Sequence, residues 1–119
     1  QWNTPVAESL VPIVTKALQQ GKIVGAICNA ASFMAAHGFL NHVKHTGNTK
    51  EQLKLWGKEN YTNENGYIEK QCVYDKNIVT ASGTGYMEFC RDILLLLQAD
   101  TDENIMNSYK FHKYGLYNE

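Results

Sequence analysis

The sequence predicts an α/β fold, a mostly parallel sheet covered by helices on both faces, and three observations carry that expectation. The run Lys22 to Ile27 is apolar without alternation from Ile23 on and stops at Cys28, as a strand buried on both faces does. Helical and strand-like periods alternate along the chain, which sets helices against a sheet. Two tight turns, Cys28-Asn29-Ala30-Ala31 and Ser82-Gly83-Thr84-Gly85, each join a strand-like run to a helix-like one.

Each element has its own warrant. Thr4-Pro5 is an N-cap with a first-turn proline, and Val6, Leu10, Ile13, Val14, Ala17 and Leu18 recur at helical spacing until Gly21 closes the helix. Lys22 to Ile27 is the strand. Ala30 to His37 reads as the helix that leaves Cys28, closing at Gly38. His42 to His45 is long enough only for a strand stub, broken by Gly47-Asn48. Thr49-x-x-Gln52 forms a capping box for a short helix bearing Leu53, Leu55 and Trp56. Tyr67 to Tyr74 and Ile78 to Ala81 are β-rich and separated by Asp75-Lys76-Asn77, a hairpin composition. The helix after Gly85 is expected to bury Tyr86, Phe89, Cys90, Ile93, Leu94 and Leu97, and a last helix, capped within Asp100 to Glu103, carries Ile105, Met106 and Tyr109. The aromatic residues Tyr109, Phe111, Tyr114 and Tyr117 would cover a sheet edge or a second copy, and a homodimer is the expected assembly.

Composition narrows the function classes. A chain of 119 residues suits one domain, and a net charge of -1 carries no nucleic-acid footprint. No apolar run approaches the ~20 residues that cross a bilayer, and the first residues lack a charged-then-apolar signal pattern. Cys28, Cys72 and Cys90 are odd in number and widely spaced, which points to a reducing, cytoplasmic compartment. The sequon Asn60-Tyr61-Thr62 would matter only in a secreted protein. His42 and His45, three apart on a strand, point to opposite faces, so neither a metal nor a cofactor is expected. Gly83-x-Gly85 lacks the Lys-Ser/Thr that completes a phosphate-binding loop and reads as a structural turn. Cys72 and Cys90 read as core residues.

Cys28 is the candidate nucleophile. A cysteine at a strand-to-helix turn, with small neighbours, is lifted above the sheet and faces the first amides of the helix. Those amides stabilise a thiolate and can receive the oxyanion formed when it attacks a carbonyl. A buried core cysteine is the competing reading of the same pattern. The strand itself needs neighbours on both edges and the chain offers few, so residues 1–119 are expected to be a single partial domain.

Gln1-Trp2 through Pro5, Gly25-Ala26-Ile27-Cys28-Asn29-Ala30, Val43-Lys44-His45-Thr46-Gly47-Asn48 and Ile78-Val79-Thr80-Ala81-Ser82-Gly83-Thr84-Gly85 with Glu88-Phe89 together resemble the carboxy-terminal part of the PfpI family. That family, within the class I glutamine amidotransferase-like superfamily, includes intracellular proteases, glyoxalase and deglycase proteins and the parkinsonism-associated oxidative-stress protein. The resemblance implies a flavodoxin-like three-layer sandwich lacking here its amino-terminal half, the segment that would carry a Pro-Gly-Gly turn and the glutamate contacting the cysteine. That segment and a small-molecule substrate are the implied partners.

Carried across residue by residue, the resemblance makes Cys28 the elbow cysteine and the Asn29 N–H an oxyanion donor. Protease-like members have a histidine where Asn29 stands, and a carboxamide cannot act as a base. His45 lies near the position of a histidine that other members use as a catalytic partner. Thr46, Asn48 and Gly83 border the implied substrate pocket. The implied function is a cysteine-dependent reaction on a small carbonyl or amide substrate; the alternative is a non-catalytic, redox-sensing stress-response thiol.

Overall fold

The computed structural model describes residues 4–117, so the expectations resting on Gln1 and Trp2 lie outside the described residues. In chain order the elements are α1 (Pro5–Glu8), α2 (Val11–Gln19), β1 (Val24–Ile27), α3 (Asn29–Ala36), α4 (Lys50–Gly57), β2 (Cys72–Asp75), β3 (Ile78–Ala81), α5 (Tyr86–Leu97) and α6 (Asp102–Tyr114).

Thr4 caps α1, its Oγ1 accepting from the Ala7 N–H at 3.2 Å. The single helix expected up to Gly21 is instead two, with the restart at Val11. Pro12 explains the break: it has no N–H to donate to the Glu8 carbonyl, and its ring crowds that carbonyl, whereas near a helix start neither matters. The restart changes which residues face inward. Ala7, Val11, Val14 and Leu18 pack against the core, while Val6, Leu10 and Ile13 are exposed.

β1 pairs in parallel with β3, from Val24↔Ile78 to Ile27↔Ala81. β3 pairs antiparallel with β2, from Cys72↔Ala81 to Asp75↔Ile78, giving the order β1-β3-β2. The expected hairpin is present but shorter, with Lys76-Asn77 as its loop and Lys76 at φ 53°. Tyr67 makes only a parallel bridge to His45, and that single bridge replaces the strand stub expected over His42 to His45.

The sheet separates two apolar layers. Val24, Ala26 and Ile78 meet Ala31, Phe33, Leu40 and Leu53 on one face. On the other, Ile23, Ile27, Val79, Ala81 and Cys72 meet Phe89, Ile93 and Leu96 of α5. Gly25 permits that second contact, since a Cβ there would lie 2.7 Å from Phe89 Cζ. The result is a helix–sheet–helix, flavodoxin-like α/β arrangement with an antiparallel strand at the β2 edge.

Helix α5 departs from its expected face. Tyr86, Cys90 and Leu97 are exposed, and the buried residues of the helix are Glu88 and Asp92. Their partners come from outside the apolar pattern. Tyr109 Oη donates to Glu88 Oε2 at 2.6 Å and Lys113 Nζ sits 2.9 Å away, both on α6, while Arg91 Nε donates to Asp92 at 2.8 Å. α6 starts at its Thr101 cap and buries Ile105. Among the described residues no helix is long and apolar enough to cross a membrane.

Candidate functional site

Cys28 stands between β1 and α3 at φ 60°, ψ -125°. Its N–H still continues the sheet, donating to Ala81 O at 3.0 Å, while its carbonyl already accepts from Ala31 N at 3.1 Å. One residue therefore makes the whole turn from strand to helix. A non-glycine residue with positive φ costs about 1–3 kcal/mol unless its surroundings enforce it, and here bonds on both sides do. The side chain is half-buried.

Two loops close on the sulfur. Asn48 Nδ2 donates to Cys28 Sγ at 3.4 Å, and Asn48 Oδ1 accepts from the Gly83 N–H at 2.8 Å. A backbone N–H can only donate, so the amide oxygen must face Gly83 and the NH2 must face the sulfur. Gly83 packs so closely that a Cβ there would lie 3.2 Å from Sγ. Asn29 is the first residue of α3 and exposed, and its Oδ1 accepts from Gln52 Nε2 at 3.1 Å. The expected capping box is thus half formed. Thr49 Oγ1 accepts from Gln52 N at 3.0 Å, but the Gln52 side chain reaches Asn29 rather than returning to Thr49.

The structure brings Cys28, Asn29, Asn48 and Gly83 together and sets His45 and Thr46 behind them. His45 is fully buried. Its Nδ1 lies 2.8 Å from the Val43 carbonyl and its Nε2 2.6 Å from Tyr61 Oη. The carbonyl only accepts, so Nδ1 carries the proton and Nε2 accepts from the tyrosine. Burial holds the imidazole pKa below its ordinary value against the opposing effect of the Val43 bond, and burial, with Glu64 and Tyr67, pushes the Tyr61 hydroxyl up to about 12. Thr46 N donates to Thr80 Oγ1 at 2.8 Å and Thr46 Oγ1 to Lys70 O at 3.1 Å. Tyr67 Oη donates to Gly47 O at 3.2 Å. Residues 45–47 are therefore fixed one after another, and that chain of bonds delivers Asn48 to the sulfur.

Beside this constellation opens a cleft of about 540 Å3 lined by Asn48, Lys50, Glu69, Gln71, Ser82 and Thr84 among others. Sequence reasoning missed Gln52, Tyr61 and Gln71. Gln52 carried a signal, its place in the capping motif, but that pattern gives no hint of Asn29 as its partner. The other thiols differ sharply. Cys72 is buried against Asp92, and burial, then that carboxylate, pushes it up to about 12; Cys90 is exposed on α5, not in the core as expected. Among the described residues no three His, Cys, Asp or Glu side chains are grouped to hold a metal.

A match to the DJ-1/PfpI family spans residues 2–96. A Bacillus subtilis protein named as the uncharacterized protease YdeA is 40% identical over 92% of this chain and 55% of its own length. The crystal structure of a thiJ/pfpI family protein from Bacillus anthracis superposes with a TM-score of 0.89 at 33% identity, over 95% of this chain and 53% of that one. The DJ-1 superfamily protein Atu0886 from Agrobacterium tumefaciens gives 0.80 at 29% identity, over 93% and 58%. The chain thus spans about half the length of the curated relatives it matches.

Proposed function

Because this chain belongs to the DJ-1/PfpI family, we propose that it bears the nucleophile of a cysteine-dependent reaction on a small carbonyl or amide substrate, with Cys28 as that nucleophile. The observation that carries the reading is the turn at Cys28, φ 60° and ψ -125°, a positive φ at a non-glycine residue where strand passes directly into helix, with Asn48 Nδ2 donating to its Sγ at 3.4 Å. Attack of the thiolate on a carbonyl carbon forms the S–C bond and moves the π electrons onto oxygen, where the Asn29 N–H receives the charge. The thiol proton leaves to water or to the acidic residue that the family resemblance places in the other half of a full-length domain. The relatives' protease name points to peptide amides, but Asn29 offers no base for proteolysis, and small carbonyls suit this site better.

A second reading has its own observation. Among the described residues Cys28 Sγ is hydrogen-bonded by a carboxamide, and both ring nitrogens of His45 are engaged elsewhere. A cysteine held without a proton shuttle suits a redox sensor, oxidised by a peroxide through sulfenic to sulfinic acid. Assay of glyoxals, glutamine and peptides with the wild type and Cys28→Ser separates the two. Turnover that disappears in Cys28→Ser supports the enzyme. Rapid peroxide oxidation of Cys28 with no turnover of any substrate supports the sensor, and a Cys28 that is neither reactive nor needed overturns both.

A further inference from the structure

We propose that Gln71, held by Ser82 and Thr84, is a recognition subsite for a carboxyl or carboxamide oxygen of the ligand that Cys28 acts on, an inference that rests on the role assigned to Cys28 above. Gln71 Oε1 accepts from Ser82 Oγ at 2.9 Å and from Thr84 Oγ1 at 2.8 Å, and the two hydroxyls are 2.9 Å apart. The backbone is tied as well. Ser82 N donates to Gln71 O at 3.2 Å, and a Cβ on Gly85 would come within 2.2 Å of that same oxygen. Gln71 is an exposed side chain, and fixing an exposed glutamine costs rotamer entropy that water-satisfied hydrogen bonds would not require.

The fixed orientation has a chemical consequence. With Ser82 Oγ and Thr84 Oγ1 each giving its single proton to Oε1, their own 2.9 Å contact holds no proton, and Nε2 keeps its two N–H donors for a ligand. Gln71 lines the cleft of about 540 Å3 with Asn48, the residue that bonds Cys28 Sγ, and Ser82 and Thr84 flank Gly83 against the sulfur. That volume suits a small molecule. Lys50 and Lys70 on the lining favour a carboxylate, Glu51 and Glu69 oppose it, and a donor-only amide serves a carboxylate and a carboxamide alike. The chemistry read here is therefore an oxygen acceptor close to the electrophilic carbon.

Iodoacetate and iodoacetamide provide the test, since each carries such an oxygen beside the carbon attacked, and exposed Cys90 serves as the internal reference. Gln71→Glu keeps an acceptor for both hydroxyls and the shape of the side chain but replaces the NH2 with a charged oxygen. Relative to Cys90, the rate at Cys28 is expected to fall about fivefold with iodoacetamide and about fiftyfold with iodoacetate, the first corresponding to one lost hydrogen bond. Gln71→Ala is expected to slow both reagents about equally without moving the pH profile of Cys28 alkylation, which a collapsed turn would move. Unchanged rates at Cys28 in both variants overturn the subsite while leaving the nucleophile intact. If instead wild-type Cys28 reacts no faster than Cys90, the nucleophile reading fails, and titration of the Gln71 side-chain amide resonance with acetate and acetamide decides the subsite: a saturable shift supports it and none overturns it.

Discussion

His45 shows how burial turns one residue into a pH-dependent part of the fold. Its neutral ring donates to Val43 O and accepts from Tyr61 Oη, and its pKa is held below the ordinary value by burial. In the unfolded chain the imidazole titrates near its reference value of about 6.5. Above that pH both states are neutral and the contribution is complete. Below it the unfolded chain takes up the proton first, so stability is lost as pH falls towards the depressed folded value. The melting temperature is therefore expected to decline from pH 6.5 to pH 5. His45→Gln should lower the stability at pH 7.5 by about 1–2 kcal/mol for the disrupted buried pair, and should flatten the slope of melting temperature against pH between pH 6.5 and 5. A variant that retains the wild-type slope would show that other groups control this window.

At the scale of elements, two glycines set how closely the parts approach, and they differ in what yields. An alanine at Gly25 would meet the far end of the Phe89 ring at 2.7 Å, which a small swing of that side chain about χ1 relieves, whereas at Gly85 it would meet the backbone oxygen of Gln71 at 2.2 Å. Overpacking typically costs about 1–3 kcal/mol, so Gly25→Ala is expected near the lower end and Gly85→Ala at or beyond the upper. Thermal melts of both variants check the order, and a Gly25→Ala that is the less stable of the two would contradict it. The same elements show what the sequence made legible. The strand ending at Cys28 and the hairpin could be read from local pattern, the uninterrupted apolar run and the Asp75-Lys76-Asn77 turn, although only Ala26 of β1 is buried here. The inward face of α5 could not: four consecutive leucines, Leu94 to Leu97, blur the stripe, and Glu88 is neutralised by Tyr109 and Lys113 more than 20 residues on. Asn48 was legible as a pocket neighbour, but its bond to Sγ depends on Gly83, 35 positions away, and Gln71 depends on hydroxyls 11 and 13 positions away.

The whole molecule is looser than its length requires. Its radius of gyration is 15.1 Å, against about 13.5 Å for a compact domain of this size. Among the described residues β1 pairs on one edge only, although it is the strand that carries Cys28. Val6, Leu10 and Ile13 lie exposed on the helices before it, Val6 at 80%. An unpaired strand edge and an apolar helix face both favour association, and the relatives are about twice as long as the matched region. We propose that the half of a family-length domain that this chain does not match covers these surfaces and completes the surroundings of the thiol. Supplied as a separate polypeptide, the unmatched half of the Bacillus subtilis relative is expected to bind this chain, turn a broad thermal transition into a cooperative one, and protect the β1 amides from hydrogen exchange. Each pairing of apolar surface contributes about 25 cal/mol per Å2, so even a modest interface should raise the melting temperature by several degrees. A chain that already melts sharply alone, with β1 amides protected to the same degree as those of β3, would show that this sheet needs no further strand.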